Sequence, residues 1–477
     1  MPSSRVRRPL QLRPAKAALL RQHRWYVKRL WLLDIGAVLI IGVLSLTYLL
    51  GHIELEQKFS VYDEWTHADY VWQVSHGNIP ARGDLIAVEV AQQWACHGQQ
   101  SNITPSCGSD DANDPRNFQG KGLNYNYFHP PLYYAVNGAI ATPLADHFDL
   151  DFVDSARAAN ATLVTFSVVL FYLAMRGWKL RPGPALGAVL LLMCNPAAIH
   201  AGTYVTNDGI NIFAGAGIIW LLKKVYRDRK YPVIRAALLM AVVAASKTVS
   251  TIGLIAVGVL LGVRAAKLVL RRRAVGEGLR SLATATALAL PVVSITLWWG
   301  QYQESRGDEH FVSPVAGVNS IRLDTTPWTE WAQSATSGFT AGRGTWLSEE
   351  VNGWGMMAVA TVAIFVLSTA ALVGAAAIGR KRVEWGIAAT LLLGVVLVPI
   401  LVNLQAATSG LVFPRVSSRY AVHLLPLAAM VWALVAQRRR RGGTLLLAGA
   451  IGFCVILLTM YDIGIFADSG EGFGVAQ

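Results

Sequence analysis

The chain has 477 residues, of which 53% are hydrophobic and only 15% charged. That balance excludes an ordinary soluble domain, which needs more charged surface. A net charge of +13 can accompany nucleic-acid binding, but the cations sit in short loops between apolar runs, the pattern that sets membrane topology, so nucleic acid is not an expected partner.

Residues 1–29 form a basic, proline-punctuated segment carrying Arg5, Arg7, Arg8, Arg13, Lys16, Arg21 and Arg24. No cleavage site precedes the first apolar run, so the segment reads as a cytoplasmic tail rather than a signal peptide. From Leu30 to Tyr461 apolar runs of about 20 residues recur, the length a bilayer core demands. The expected fold class is an all-α polytopic membrane protein, with a single membrane domain over residues 30–477. Eleven crossings are expected, at 30–51, 156–175, 184–201, 208–226, 233–247, 248–265, 280–300, 354–378, 385–404, 419–436 and 443–462. The fifth is short, with a break expected near Ser246-Lys247-Thr248.

Basic clusters at the N-terminus, 176–181, 223–235, 264–280, 380–382 and 438–441 set the orientation. After the first loop, neighbouring clusters enclose even numbers of spans, so all can lie in the cytoplasm with the N-terminus inside and the C-terminus outside. Residues 130–147 are apolar and helical in pattern, but a crossing there would turn every later basic loop outward. They therefore read as an interfacial helix with Tyr133 and Tyr134 near headgroup level; a true span with a re-entrant neighbour is the alternative. Two long outer loops follow from this topology, 52–155 and 301–353. The first carries the acids Asp146, Asp149, Asp151 and Asp154, and the second is rich in tryptophan (Trp328, Trp331, Trp346), with Trp354 at its edge. Cys96 and Cys107 share the first loop and either form a disulfide or stay free; a metal site is not expected there without histidines at ligand spacing. Cys194 and Cys454 lie in apolar runs, as small packing residues do. A bacterial plasma membrane is the expected location, because no signal points elsewhere. No internal repeat is evident.

Five polar constellations stand out. Asp63-Glu64 follows the first span, with His67 and Tyr70 on the face of Asp63 if the segment is helical. A carboxylate near the interface can act as a general base; alternatively, both acids simply favour a helix N-terminus. His129 precedes Pro130-Pro131-Leu132-Tyr133-Tyr134, where the prolines open a helix. Asn207 or Asp208 can cap the next helix or bind a ligand. Lys247, between two apolar runs, either snorkels or meets a phosphate. Arg415 and Arg419, beside Tyr420, lie where topology disfavours cations, and bind either a phosphate or the outer loop's own acids. All of these map to one face, so they describe a site that holds a phosphate and deprotonates a hydroxyl.

The Asp-Glu pair after the first span, the His-Pro-Pro-Leu-Tyr-Tyr and Thr-Asn-Asp-Gly stretches, and the late Ser418-Arg419-Tyr420 resemble the GT-C glycosyltransferase superfamily. The likeness is greatest to enzymes using polyprenyl-phosphate sugars, such as protein O-mannosyltransferases and aminoarabinose transferases. It covers most of the chain, although the insert around Cys96–Cys107 has no counterpart and no large C-terminal soluble domain is evident. The resemblance implies a GT-C-like bundle and an enzyme that transfers a sugar, with inversion, from a polyprenyl-phosphate donor to a hydroxyl of an envelope glycan, lipid or protein. Asp63, with Glu64 beside it, matches the acid that activates the acceptor. His67, His129, Tyr133, Asn207, Asp208, Lys247, Arg415, Arg419 and Tyr420 are the candidate substrate-binding residues. No cofactor or metal is expected, although a divalent cation would suit the same acids. A transporter or flippase for a lipid-linked saccharide is the competing reading; it would place ionisable groups near the bilayer midplane.

Overall fold

The computed structural model describes residues 14–55, 58–60, 63–98, 104–271, 274–308, 311, 321–322, 370–378, 383–407, 411–412 and 418–462. Its helices are α1 (Pro14–Leu55), α2 (Glu64–Ser75), α3 (Val88–His97), α4 (Leu132–Phe148), α5 (Phe152–Gly177), α6 (Pro182–Met193), α7 (Pro196–Thr203), α8 (Ile210–Leu222), α9 (Val233–Ser246), α10 (Ile252–Leu270), α11 (Val275–Glu304), α12 (Trp385–Ala407), α13 (Leu425–Gln437) and α14 (Gly442–Asp462). A two-residue antiparallel pair, β1 (Ile321–Arg322) with β2 (Leu411–Val412), is the sheet among these residues.

The chain is an all-α, multi-pass membrane protein. Among the described residues, six helical stretches are long and apolar enough to cross a bilayer: Leu32–Glu54, Phe152–Gly177, Thr248–Leu270, Val275–Glu304, Trp385–Leu404 and Arg419–Gln437. The bent pair α6–α7 adds a seventh if it counts as one span. The other expected crossings are less complete. Helices α8 and α9 run for only 13 and 14 residues, the apolar part of α14 among the described residues is Gly442–Val455, and most of 354–378 lies outside the described residues. The Trp-rich loop at 323–353 also lies outside them.

Local chemistry explains the breaks. Asn195 accepts from the backbone N–H of Ala197, and Pro196 occupies the first turn of α7, so the run 184–201 splits there. Lys247 is extended (φ −158°), ending α9 before a 3-10 turn at Thr248–Thr251. The expected break at Ser246-Lys247-Thr248 is therefore where the helix ends.

Two apolar cores result. One fills the bundle, drawing on α1, α5, α6, α8, α10, α12 and α13. The other belongs to the first long loop, where Phe59, Trp65, Val90, Trp94, Phe118, Tyr125 and Tyr134 pack with Phe152 and Val205. Trp65 and Trp94 stack with centroids 4.6 Å apart. Cys96 and Cys107 are joined by a disulfide within this unit. Cys194 and Cys454, expected as packing residues, are also joined, because α6 packs along α14.

Helix α4 lies against α2 and α5 and is not among the crossing-length apolar helices. Its Tyr133 and Tyr134 are the residues expected near headgroup level. Both are buried, at 4% and 0% exposure, because this face of α4 packs against α2 and α5.

Candidate functional site

The first long loop and the bundle meet at one end of α5 and α8. Asp63 precedes α2 with φ 66°, a left-handed conformation that Asp adopts more readily than most residues. Glu64 follows as the first residue of α2. The two neighbouring carboxylates have opposite environments.

Glu64 is fully buried. Its Oε1 accepts from Arg157 Nε (2.8 Å) and Val205 N (2.9 Å), and its Oε2 accepts from Ser60 N (2.7 Å) and Arg157 Nη2 (2.9 Å). A carboxylate offers about four lone-pair sites, and all four are taken. Glu64 thus ties α2, α5 and the segment before α8 together. Of the two acids expected to be catalytic, Glu64 is the one whose acceptor sites are all occupied within the protein.

Asp63 retains 24% side-chain exposure. Its Oδ1 accepts from the Tyr125 hydroxyl (2.8 Å) and its Oδ2 from Arg419 Nη2 (3.0 Å). Among the described residues, half of its acceptor capacity stays open. Burial and the Asp63 charge hold the Tyr125 hydroxyl well above its ordinary pKa, so it stays protonated as a donor. Of the two readings of the late arginines, the structure has Arg419 meeting an acid of the first loop. Arg415 lies outside the described residues.

The second ion pair is Lys247 Nζ to Asp208 Oδ1 at 2.6 Å, with side chains 4% and 1% exposed. Lys247 therefore neither snorkels nor stands unpaired. The cap of the turn at Asn207–Gly209 is Thr206, whose hydroxyl accepts from Asp208 N, so Asn207 and Asp208 are not spent on capping. Asn211 Nδ2 also donates to Asp208 Oδ1 (3.0 Å). Asn207 Nδ2 reaches the Tyr134 hydroxyl (3.3 Å), while Asn207 Oδ1 is buried with no hydrogen-bond partner among the described residues.

Tyr420 joins the two ion pairs. Its ring centroid lies 5.9 Å from Lys247 Nζ and 5.4 Å from the Arg419 guanidinium carbon. The turn that carries both residues sits close to α8 and α10. A Cβ at Gly215 would come within 2.5 Å of Pro426 Cγ and 2.8 Å of the His423 carbonyl, so only glycine permits this approach.

His67 and His129 lie between the pairs, stacked at 5.9 Å, and His67 Nδ1 is 2.8 Å from the Tyr134 hydroxyl. Burial, then the positive charges of Lys247 and Arg419, hold the His67 imidazole well below its ordinary pKa. Burial and Lys247 do the same to His129. Both rings are neutral at pH 7, and neither adds charge to the site.

The structure thus gathers Asp63, His67, His129, Asn207, Asp208, Lys247, Arg419 and Tyr420. It does not bring in Tyr133, whose hydroxyl bonds Asn160 Oδ1 (3.0 Å) and Asn137 Nδ2 (3.2 Å) on the α5 side. Tyr134 takes that place instead. Tyr125, also missed from sequence, lies four residues before His129 in an aromatic and amide-rich stretch, which was its available signal. Arg157 gave none, because a single arginine in an apolar run reads as a topology residue.

Among the described residues, His97, Asp151 and Asp154 form the group whose donor atoms lie close enough, within 4.8 Å, to share a cation. Each has another role: His97 bonds Asp151 (2.9 Å), Asp151 caps α5, and Asp154 approaches Arg157 (3.6 Å). A groove of about 460 Å³ lies at the far end of α8 beside Trp220 and Lys223, away from this polar cluster. No family model matches the chain, and no curated protein matches it significantly.

Proposed function

We propose that the chain is a membrane glycosyltransferase that moves a sugar from a polyprenyl-phosphate donor to a hydroxyl acceptor on the outer face of a bacterial plasma membrane. Asp63 is the general base. It takes the acceptor's proton as the acceptor oxygen bonds to the anomeric carbon; the bond from that carbon to the phosphate oxygen breaks with its electron pair, and polyprenyl phosphate leaves. Attack opposite the leaving group inverts the anomeric centre and needs no covalent nucleophile. Lys247 and Arg419 offset the charge growing on the phosphate. Asn207 Oδ1 accepts from a hydroxyl of the sugar, which satisfies an otherwise unmet buried acceptor.

The observation that carries this reading is the contrast between the two adjacent acids: Glu64 is saturated, whereas Asp63 is half-open and pairs with Arg419. A flippase would put its ionisable groups near the middle of the spans; here they cluster at one end of α5 and α8. The proposal needs no metal.

The test is mass spectrometry of lipid-linked sugars and envelope glycans from cells with the gene, without it, and with Asp63→Asn. The expected result is donor accumulation and loss of one glycan modification in both altered strains, with the variant expressed normally. Transfer in the variant should fall on the order of 10²–10⁴-fold. Unchanged profiles on gene loss would remove the enzyme reading, and full transfer by Asp63→Asn would remove Asp63 as the base.

A further inference from the structure

The end of α8 opposite the polar cluster carries a second built feature. Helices α5, α8 and α9 enclose a groove of about 460 Å³, within the size range of sites that hold a small molecule, ~300–1,000 Å³. Its walls are apolar and include Leu173, Phe213, Trp220 and Leu238. Leu173 and Leu238 are 45% and 61% exposed. At one end the wall changes character, and Lys223 and Lys224 close it.

These lysines are held in place. The chain passes from α8 into a π-helical turn over Lys223–Arg227, a local widening often found at functional positions. Lys223 Nζ bonds Asp228 Oδ2 at 2.8 Å, and Lys224 Nζ approaches the same oxygen at 3.7 Å. Lys224 Nζ also lies 5.9 Å from the Trp220 ring centroid. One carboxylate cannot neutralise both ammonium groups; Arg227 and Lys230 follow in the chain, while Arg229 pairs with Glu277 at 3.6 Å. An apolar trough that ends at a net-positive pair complements one chemistry, an acyl chain attached to an anionic headgroup.

We propose that this groove is a binding site for an anionic phospholipid from the leaflet facing the basic end of α8. One acyl chain lies along α5, α8 and α9, and the phosphate meets Lys223 and Lys224. Zwitterionic lipid would gain the same apolar contact but little from the lysines. Each lysine near an anionic headgroup contributes on the order of 1 kcal/mol, so the pair gives a preference of roughly tenfold or more.

The test is native mass spectrometry of the full chain, purified from equimolar phosphatidylglycerol and phosphatidylcholine. The wild type is expected to retain phosphatidylglycerol about tenfold over phosphatidylcholine. Lys223→Gln/Lys224→Gln should bring that ratio to near one. Leu238→Trp, which fills the groove without touching the charges, should lower retention of phosphatidylglycerol and keeps the test decisive if the double variant folds poorly. Equal retention of both lipids by the wild type, a preference that survives the double variant, or phosphatidylglycerol retention unchanged by Leu238→Trp overturns the site. So does a dimer that Leu238→Trp converts to monomer, since a second copy would then be the occupant.

Discussion

Asp63 and Arg419 are 356 positions apart in the chain, yet their side chains bond at 3.0 Å. The contact fastens the first long loop to the turn before α13, and it leaves the Asp63 carboxylate 24% exposed. The neighbouring Glu64 has no exposure at all. One position thus separates an acid with open acceptor sites from an acid whose sites are all taken.

That difference gives a paired prediction. Glu64→Gln should destabilise the protein by about 3–5 kcal/mol, because it leaves the guanidinium of Arg157 buried beside a neutral amide. Asp63→Asn should leave thermal stability within about 1 kcal/mol, since an ion pair whose two side chains stay partly exposed, at 22% and 24%, contributes little, while transfer is lost. Thermal unfolding in detergent, measured beside the transfer assay, separates the two. Equal destabilisation of both variants would mean that the acids share one structural role.

The sequence made much of this site legible, and its silence elsewhere has physical reasons. Apolar runs are local signals, so the expected span 156–175 lies within α5 (Phe152–Gly177), and the break at Lys247 was marked by a charge in an apolar run. The gathering of acids and cations at one end also followed, because topology limits which loops can meet. Partners did not follow. Nothing local indicates that Lys247 chooses Asp208 or that Cys194 meets Cys454, 260 positions away. Tyr133 and Tyr134 are about 100° apart around a helix, and only the packing of α4 on its neighbours decides which one reaches His67. Glu64 looked as reactive as Asp63 because three of its four donor contacts come from the distant Arg157 and Val205.

The Lys247–Asp208 pair leads to a cycle of substitutions. Lys247→Met alone should cost about 3–5 kcal/mol, because it strands a buried carboxylate. Asp208→Asn in the same chain should recover part of that loss, with a coupling of about 1–3 kcal/mol. If Lys247 also holds the donor phosphate, the recovered double variant will fold yet bind the polyprenyl-phosphate sugar weakly. Wild-type donor affinity in the folded double variant would limit Lys247 to a structural role.

The last prediction concerns pH and the loop core. Asp69 is fully buried in α2, and burial raises its carboxyl to about 7, against the lowering effect of hydrogen bonds from Ala87 N, Asn124 and Gln73. The folded state therefore binds this proton more tightly than the unfolded chain does. The resulting stabilisation is complete below the ordinary carboxylate pKa and is lost as pH rises through about 7. The wild type should accordingly unfold at a lower temperature at pH 8 than at pH 5, by an amount on the order of 3 kcal/mol in stability. Asp69→Asn removes the titrating group, so the part of the pH dependence that disappears in this variant belongs to Asp69. If the two proteins trace the same curve between pH 5 and 8, the carboxylate is ionised throughout and its three donors outweigh burial.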